Sequence, residues 1–273
     1  MFTPKQCIPI LFLLLLCSVR CFCQEVSVCS WNIQNFGKSK DDAEIEFIAN
    51  TVKGYDAVAI IEVVAGYGGA QAVARLSDVL NRKGAKWDYV ISDPTSSTTK
   101  GTERYAFLWK TSRLRKQGDA WLEKKYHKEI EREPYFITFK TAKKAFTLAA
   151  FHAVPTSKKP EKEIIYLQKI PVQYKDKNIL FCGDYNCSQS NEAFSSLKAM
   201  GYQPIFAKQK TTIKNKPKGA ECLASEYDNI FYQRSQVKRL KSGIIPFYTE
   251  FATLKDARKI SDHVPIYFEF SLN

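Results

Sequence analysis

The chain has 273 residues, with 41 lysines and arginines against 28 aspartates and glutamates and a formal charge of +13. That length supports a substantial core in one large domain or two small ones, and the charge suits a polyanionic partner, nucleic acid or an anionic membrane surface, without choosing between them. The one long apolar run, Ile8–Leu16, is too short to span a membrane, and no linker, repeat or low-complexity tract interrupts the rest.

Taken in order, Lys5 and then Ile8–Leu16 precede Cys21 and Cys23, which stand at −3 and −1 before Gln24. This pattern predicts a secretory signal peptide over residues 1–23 and a secreted or periplasmic product. A lipoprotein is the lesser alternative, because no small-residue lipobox precedes Cys17, Cys21 or Cys23. Without Lys5 and Arg20, 39 basic residues face 28 acidic ones, and residues 24–273 keep a charge of +11. Four of the eight cysteines remain after cleavage. Cys29 and Cys182 sit in apolar runs and read as small buried hydrophobes, whereas Cys187 and Cys222 lie in polar loops and are the candidate disulfide.

Val26–Trp31 alternates as a strand and delivers Asn32 at its end. Ser39 or Asp41 can cap a helix with the stripe Ile45, Ile48, Ala49 and Val52. Ala57–Ile61 reads as a buried strand carrying Glu62, followed by an amphipathic helix from about Ala70 to Arg82. Trp87–Ser92 and Arg104–Lys110 are strands flanking a polar loop. Thr111–Glu133 is too charged to place. Tyr135–Lys140 and Ala145–Phe151 form a hairpin, with His152 directly after it. Pro160 opens a helix through Lys169 that Pro171 must kink or end. Asn178–Cys182 is a short apolar strand stopped by Gly183, after which Asp184 and Asn186 fall on one side if extended pairing continues. Asn191–Met200 reads as a short helix, and Lys208–Gly219 as a basic loop with nearly unopposed lysines. Tyr227–Tyr232 and Val264–Phe270 are the closing strands. Several consecutive strands lack helices between them, which predicts an α/β sandwich of two mixed or antiparallel sheets with helices outside.

The polar residues gather where strands end: Asn32, Glu62, His152, Asp184, Asn186 and the pair Asp262-His263. Gly, Asp and Asn are ordinary turn residues, so the Gly183–Asn186 stretch taken alone reads as a turn. Its coincidence with the other strand ends favours a site. His127 lies in the charged segment and reads as surface. His152 and His263 can supply a general acid and a general base, and Glu62, Asp262 and the amide oxygens are hard ligands for Mg²⁺, Mn²⁺ or Ca²⁺. No His/Cys cluster suits zinc, and no nucleophile elbow, phosphate loop or dinucleotide fingerprint is present. Metal with an acid and a base is the equipment of phosphodiester hydrolysis.

The ordered set Trp31-Asn32-Ile33-Gln34-Asn35-Phe36-Gly37, Ile61-Glu62-Val63, Glu103-Arg104-Tyr105, Arg132-Glu133-Pro134, Phe151-His152-Ala153-Val154-Pro155, Gly183-Asp184-Tyr185-Asn186, Tyr227-Asp228 and Ser261-Asp262-His263-Val264-Pro265 resembles the endonuclease/exonuclease/phosphatase superfamily. Within it the chain is similar to the secreted deoxyribonuclease I branch, over nearly all of residues 24–273. The resemblance implies one catalytic domain with a four-layered α/β sandwich fold. It implies Glu62 as the principal metal ligand with Asn32 and Asp262 beside it. Asp184 and Asn186 would hold a second ion or the scissile phosphate. His263, oriented by Asp228, would activate water, and His152, oriented by Glu103, would protonate the leaving oxygen; the two roles are exchangeable. Arg132 would contact phosphate. By residue type alone Glu103, Asp228 and Arg132 read as solvated charges.

Two positions depart from that branch. Its groove-entering arginine is Val64 here, and its groove-stacking tyrosine is Gly101. The basic loop Lys208 to Lys218 is the expected substitute, through phosphate contacts. The branch's calcium-loop disulfide has no match at the same spacing, though Cys187 and Cys222 fall in corresponding neighbourhoods. The expectation is a monomeric, secreted, Mg²⁺- or Mn²⁺-dependent DNA endonuclease of little sequence preference, without stable membrane insertion. The first alternative is a sphingomyelinase-like phospholipid phosphodiesterase, but Thr111–Glu133 and Lys208–Gly219 are polar where such an enzyme needs an apolar hairpin. The second is an inactive DNA- or surface-binding relative, whose sign would be a lost ligand or histidine, and none is lost.

Overall fold

The double apolar face of Ala57–Ile61 dictates the architecture. In the computed structural model, which describes residues 25–97 and 101–273, Ala57, Ala59 and Ile61 bury against one layer, and Val58, Ile60 and Val63 against another. A strand apolar on both faces requires a cover on each. The predicted signal segment lies outside the described residues, as do positions 98–100 of the loop from Asp93 to Thr102.

The elements begin with β1 (Glu25–Phe36), α1 (Asp42–Val52), β2 (Ala57–Val64), α2 (Tyr67–Asn81), β3 (Trp87–Ile91) and β4 (Glu103–Lys110). Next come β5 (Arg115–Lys116), β6 (Trp121–Leu122), β7 (Tyr135–Lys140), β8 (Ala145–His152), α3 (Glu161–Ile164), α4 (Lys169–Gln173) and β9 (Ile179–Asp184). After these stand α5 (Ser195–Ala199), β10 (Tyr202–Pro204), β11 (Ile213–Lys218), β12 (Glu221–Leu223), β13 (Asp228–Gln233), β14 (Val237–Ile244), α6 (Leu254–Ile260) and β15 (Ile266–Leu272).

One sheet has the order β14-β15-β1-β2-β4-β3, and the other β10-β13-β9-β8-β7-β5, with β6 also against β7. Each is antiparallel except for one parallel pair, β1 with β2 and β8 with β9. Between the sheets lie Ile61, Phe107 and Phe268 from the first and Leu148, Leu180 and Ile230 from the second. Helices α1, α2 and α6 cover the first sheet through Ile48, Leu76 and Ala257. Helices α3 to α5 cover the second through Ile164, Ile170 and Leu197. This is the four-layered α/β sandwich expected, with two mixed sheets.

Several local expectations change. Asp41, rather than Ser39, caps α1 in a reciprocal box with Glu44. Helix α2 starts at Tyr67 and runs through Gly68-Gly69 against propensity, because a Cβ at Gly69 would lie 2.0 Å from the Val64 carbonyl oxygen. The single helix from Pro160 is two, α3 and α4. Pro171 sits in the first turn of α4, where its missing N–H has no helical acceptor in any case. The basic loop is largely the strand β11 of a ribbon with β12, and Lys210 and Lys214 both pair with Glu221. Its charge is therefore partly neutralised. The short strands β5 and β6, the exposed edge strand β14 and the Thr253-capped helix α6 carry too little periodicity to read in advance.

Candidate active site

Strand register assembles the site. The parallel β8–β9 pairing sets His152 beside Asp184, and the antiparallel β13–β9 pairing sets Asp228 on its other side. Across the sandwich, β1 delivers Asn32. Glu62 stands where β2 slips register against β4, with φ of +63°, a left-handed conformation that costs a non-glycine residue about 1–2 kcal/mol. His263 lies just before β15. Its carbonyl accepts from Trp31 Nε1 (2.8 Å), its N–H donates to Ser261 Oγ (3.0 Å), and Ser261 Oγ donates to Asn32 O (2.6 Å).

The two imidazoles face each other across one carboxylate. His263 Nδ1 is 2.7 Å from Asp228 Oδ2, which also accepts from Thr211 Oγ1 (2.6 Å). His152 Nδ1 is 2.9 Å from Glu103 Oε1. The opposite ring nitrogens converge on Asp184 Oδ2, His152 Nε2 at 3.5 Å and His263 Nε2 at 3.6 Å. His152 Nε2 is also 3.8 Å from Glu62 Oε1. Each histidine thus has one nitrogen held by its own carboxylate and the other turned into a cleft of about 370 Å³, lined also by Glu62, Arg132, Asn186, Tyr227, Arg258 and Asp262.

Asn186 does not continue the strand. It takes φ of +47°, its N–H donates to Asp184 Oδ1 (2.8 Å) and its Nδ2 to the Ala153 carbonyl (3.0 Å), so it braces Asp184 from a turn. Arg132 is buried, bonded to Glu103 Oε2 (3.1 Å) and to the Ala153 carbonyl. Far from being solvated, Glu103, Asp228 and Arg132 are all buried, because each is an internal partner of a histidine or of its carboxylate. Asp262 lies at the rim, accepting from Gln34 Nε2 (3.2 Å) and Arg258 (3.4 Å). Thr211 and Arg258 were not legible as site residues. Ser261 belongs to the Ser261-Asp262-His263-Val264-Pro265 motif, but nothing in the sequence gives it the role of linking His263 to Asn32.

The electrostatics follow from packing. Burial opposes charge on both histidines, but Asp228 and Asp184 outweigh it and push the His263 pKa up to about 10, while Glu103 and Asp184 raise that of His152. Burial likewise opposes the Asp184 carboxylate, yet the two imidazoliums hold its pKa below the usual carboxylate range. Burial prevails at Asp228, whose pKa rises. For His263 the folded value exceeds the unfolded value of about 6.5. Its stabilisation is therefore complete below pH ~6.5 and lost as pH rises toward about 10. In chelator, stability should fall by up to about 1.4 kcal/mol per pH unit between pH ~6.5 and ~9. Melting temperatures across that window check it: the His263→Asn variant should flatten the slope, and an equal slope in both proteins would refute the assignment.

A hard cation suits one corner of this cleft. Asn32 Nδ2 donates to Glu62 Oε1 (3.0 Å) and Asp184 Oδ2 (3.1 Å), while Asn32 Oδ1 is buried without a hydrogen-bond partner. Turning the Asn32 amide over would exchange Nδ2 for the unpartnered Oδ1 and face an amide oxygen to both carboxylates, an oxygen donor set of the kind that Mg²⁺, Mn²⁺ or Ca²⁺ takes. Asp184, Asp228 and His263 also present ligand atoms within 4.8 Å of one another. Asp228 is the poorer ligand of the three, because its Oδ2 already accepts from Thr211 and His263.

The expected Cys187–Cys222 disulfide is not present: among the described residues all four cysteines are free. The Cys187 thiol turns to the Ser188 carbonyl and packs with the core beneath α3 to α5. Cys222 sits on the β11–β12 ribbon and turns to the Ala220 carbonyl. The two side chains belong to different packing neighbourhoods. Cys29 and Cys182 are buried, as expected, and burial pushes the Cys182 thiol up to about 12.

With fold and site in view, the chain belongs to the Endonuclease/Exonuclease/phosphatase family, whose model matches residues 29–263. It is 26% identical to a deoxyribonuclease of Thioalkalivibrio sp. (strain K90mix), over 91% of this chain and 72% of that protein. It is 27% identical to human deoxyribonuclease gamma, over 89% of this chain and 85% of that protein. The crystal structure of an endonuclease/exonuclease/phosphatase family protein from Bacteroides thetaiotaomicron shares the fold with a TM-score of 0.68 at 14% identity, covering 91% of this chain and 98% of that one. Family and relatives together support a nuclease or phosphodiesterase.

Proposed function

We infer that the protein is a metal-dependent endonuclease that hydrolyses DNA phosphodiesters with little sequence preference, exported as Ile8–Leu16 and the following residues lead one to expect. The observation that carries this reading is the convergence of two carboxylate-held imidazoles on Asp184, within 3.6 Å, beside Glu62 and Asn32. A phosphate seated there has an acid on one side and a base on the other. Water attacks phosphorus as its proton passes to His263 Nε2, and the P–O bond to the leaving oxygen breaks as His152 Nε2 donates its proton. Asp228 and Glu103 fix which ring nitrogen faces the substrate. Glu62, Asp184 and Asn32 would hold a divalent ion, which would supply positive charge against the phosphate oxygens and offset the part of the His263 pKa rise that comes from Asp184.

Little sequence preference fits a cleft whose charged groups address phosphate rather than base edges. The phospholipid reading lacks its apolar hairpin: the β11–β12 ribbon carries Lys214, Asn215, Lys216 and Glu221. Among the described residues, no helix is long and apolar enough to cross a membrane. The test is supercoiled plasmid with Mg²⁺, expected to nick and to be spared by EDTA and by His263→Ala. Plasmid left intact under Mg²⁺, Mn²⁺ and Ca²⁺ while sphingomyelin vesicles release phosphocholine would replace this reading with the phospholipid one.

A further inference from the structure

Beside the metal corner the surface presents an aromatic ring and a cation together. Tyr67 is 68% exposed at the start of α2, and Val64, three residues earlier in the chain, is 38% exposed. The Lys38 ammonium lies 4.1 Å from the Tyr67 ring centroid and donates to its hydroxyl. So exposed a tyrosine contributes little to the fold, where surface substitutions usually change stability by no more than about 0.5 kcal/mol.

Both residues are nevertheless positioned by the site. The loop bearing Lys38 is tied to Glu62 itself, since Asn35 N–H donates to Glu62 Oε2 (3.3 Å) and Ser39 Oγ donates to the Asn35 carbonyl (2.9 Å). Tyr67 follows Glu62 by five residues, at most about 17 Å of chain, and Gly69 lets the start of α2 seat directly on the Val64 carbonyl. A strand with about 3.4 Å between nucleotides that leaves the cleft on this side would reach Tyr67 within roughly five nucleotides of the cleaved bond.

We propose that Tyr67 and Lys38 form a substrate-positioning platform, with the tyrosine ring stacking on a base or sugar and the lysine contacting a phosphate of the strand being cleaved. This rests on the nuclease reading above. Aromatic stacking serves every base alike, so the platform adds affinity without sequence preference. Its effect belongs in KM, because Tyr67 stands apart from the reacting groups.

The experiment compares wild type, Tyr67→Ala, Tyr67→Phe, Lys38→Ala and a control, Tyr89→Ala, exposed on β3, on plasmid DNA and on bis(4-nitrophenyl) phosphate. Tyr67→Ala should raise KM for DNA about tenfold, within the range of one lost stacking contact, with kcat changed less than twofold. The ratio of DNA to small-diester kcat/KM should fall accordingly. Tyr67→Phe should restore KM, Lys38→Ala should raise it, and Tyr89→Ala should match wild type. Wild-type KM in Tyr67→Ala overturns the platform while leaving the nuclease reading standing. An equal loss on both substrates overturns it in favour of general damage to the site. Binding to anionic vesicles that depends on Tyr67, with KM for DNA unchanged, overturns it in favour of a membrane contact. A wild-type protein that hydrolyses the small diester and no DNA overturns both readings.

Discussion

Asp228→Asn should lower kcat on plasmid DNA by about 10²- to 10⁴-fold, the range that a positioned acid or base contributes. The carboxylate Oδ2 accepts two hydrogen bonds at once, from His263 Nδ1 and from Thr211 Oγ1. An amide of the same shape offers one oxygen and one NH₂. Where the NH₂ takes the place of Oδ2 it faces both groups: Thr211 can turn its hydroxyl and accept, but the imidazole must move its proton to Nε2. The nitrogen directed into the cleft is then a donor and cannot accept the proton of water. The substitution also removes the nearest negative charge, so the His263 pKa should drop from about 10. Steady-state kinetics and NMR of the ring nitrogens check both halves. A variant keeping more than a tenth of the wild-type kcat would remove Asp228 from its assigned place.

Gly183→Ala should abolish the fold or destabilise it by more than about 4 kcal/mol, at the extreme of single substitutions. Gly183 has φ of +149°, and a Cβ there would lie 1.9 Å from the Phe151 carbonyl oxygen. That carbonyl belongs to the residue paired with Gly183 in the parallel β8–β9 register, so neither strand can withdraw without opening the ladder that holds His152 beside Asp184. Urea denaturation measures the stability loss. A soluble Gly183→Ala protein within about 1 kcal/mol of wild type would show that the strands separate more easily than their geometry implies.

Much of this was legible in advance, and the reason differs by residue. The runs Ala57–Ile61 and Asn178–Cys182 read as buried strands because their period and length are local properties, and so did the capped stripe of α1. The polar residues at strand ends were legible by their position. Glu103, Arg132 and Asp228 were not legible by type, since a charge shows its partner only across a fold: Arg132 bonds Glu103 from 29 residues away, and Asp228 meets His263 from 35. Only the ordered resemblance brought them in. Short elements such as β5, β6 and α3 to α5 are decided by what they pack against, and a helix of four or five residues carries no periodicity of its own.

What the amino-acid order by itself determined is the two-sided apolar strands, hence two sheets between helical layers, and an inventory of oxygen ligands and histidines at strand ends. Tertiary structure alone decided the pairings. It turned Cys187 and Cys222 to different neighbourhoods, spent the charges of Lys210 and Lys214 on Glu221, and buried Arg132 behind Glu103. It also set Lys38 against Tyr67 across 29 residues. Period and propensity act over a few residues, whereas the partner of a thiol or a charge is set by distances that exist only after the sheets have closed.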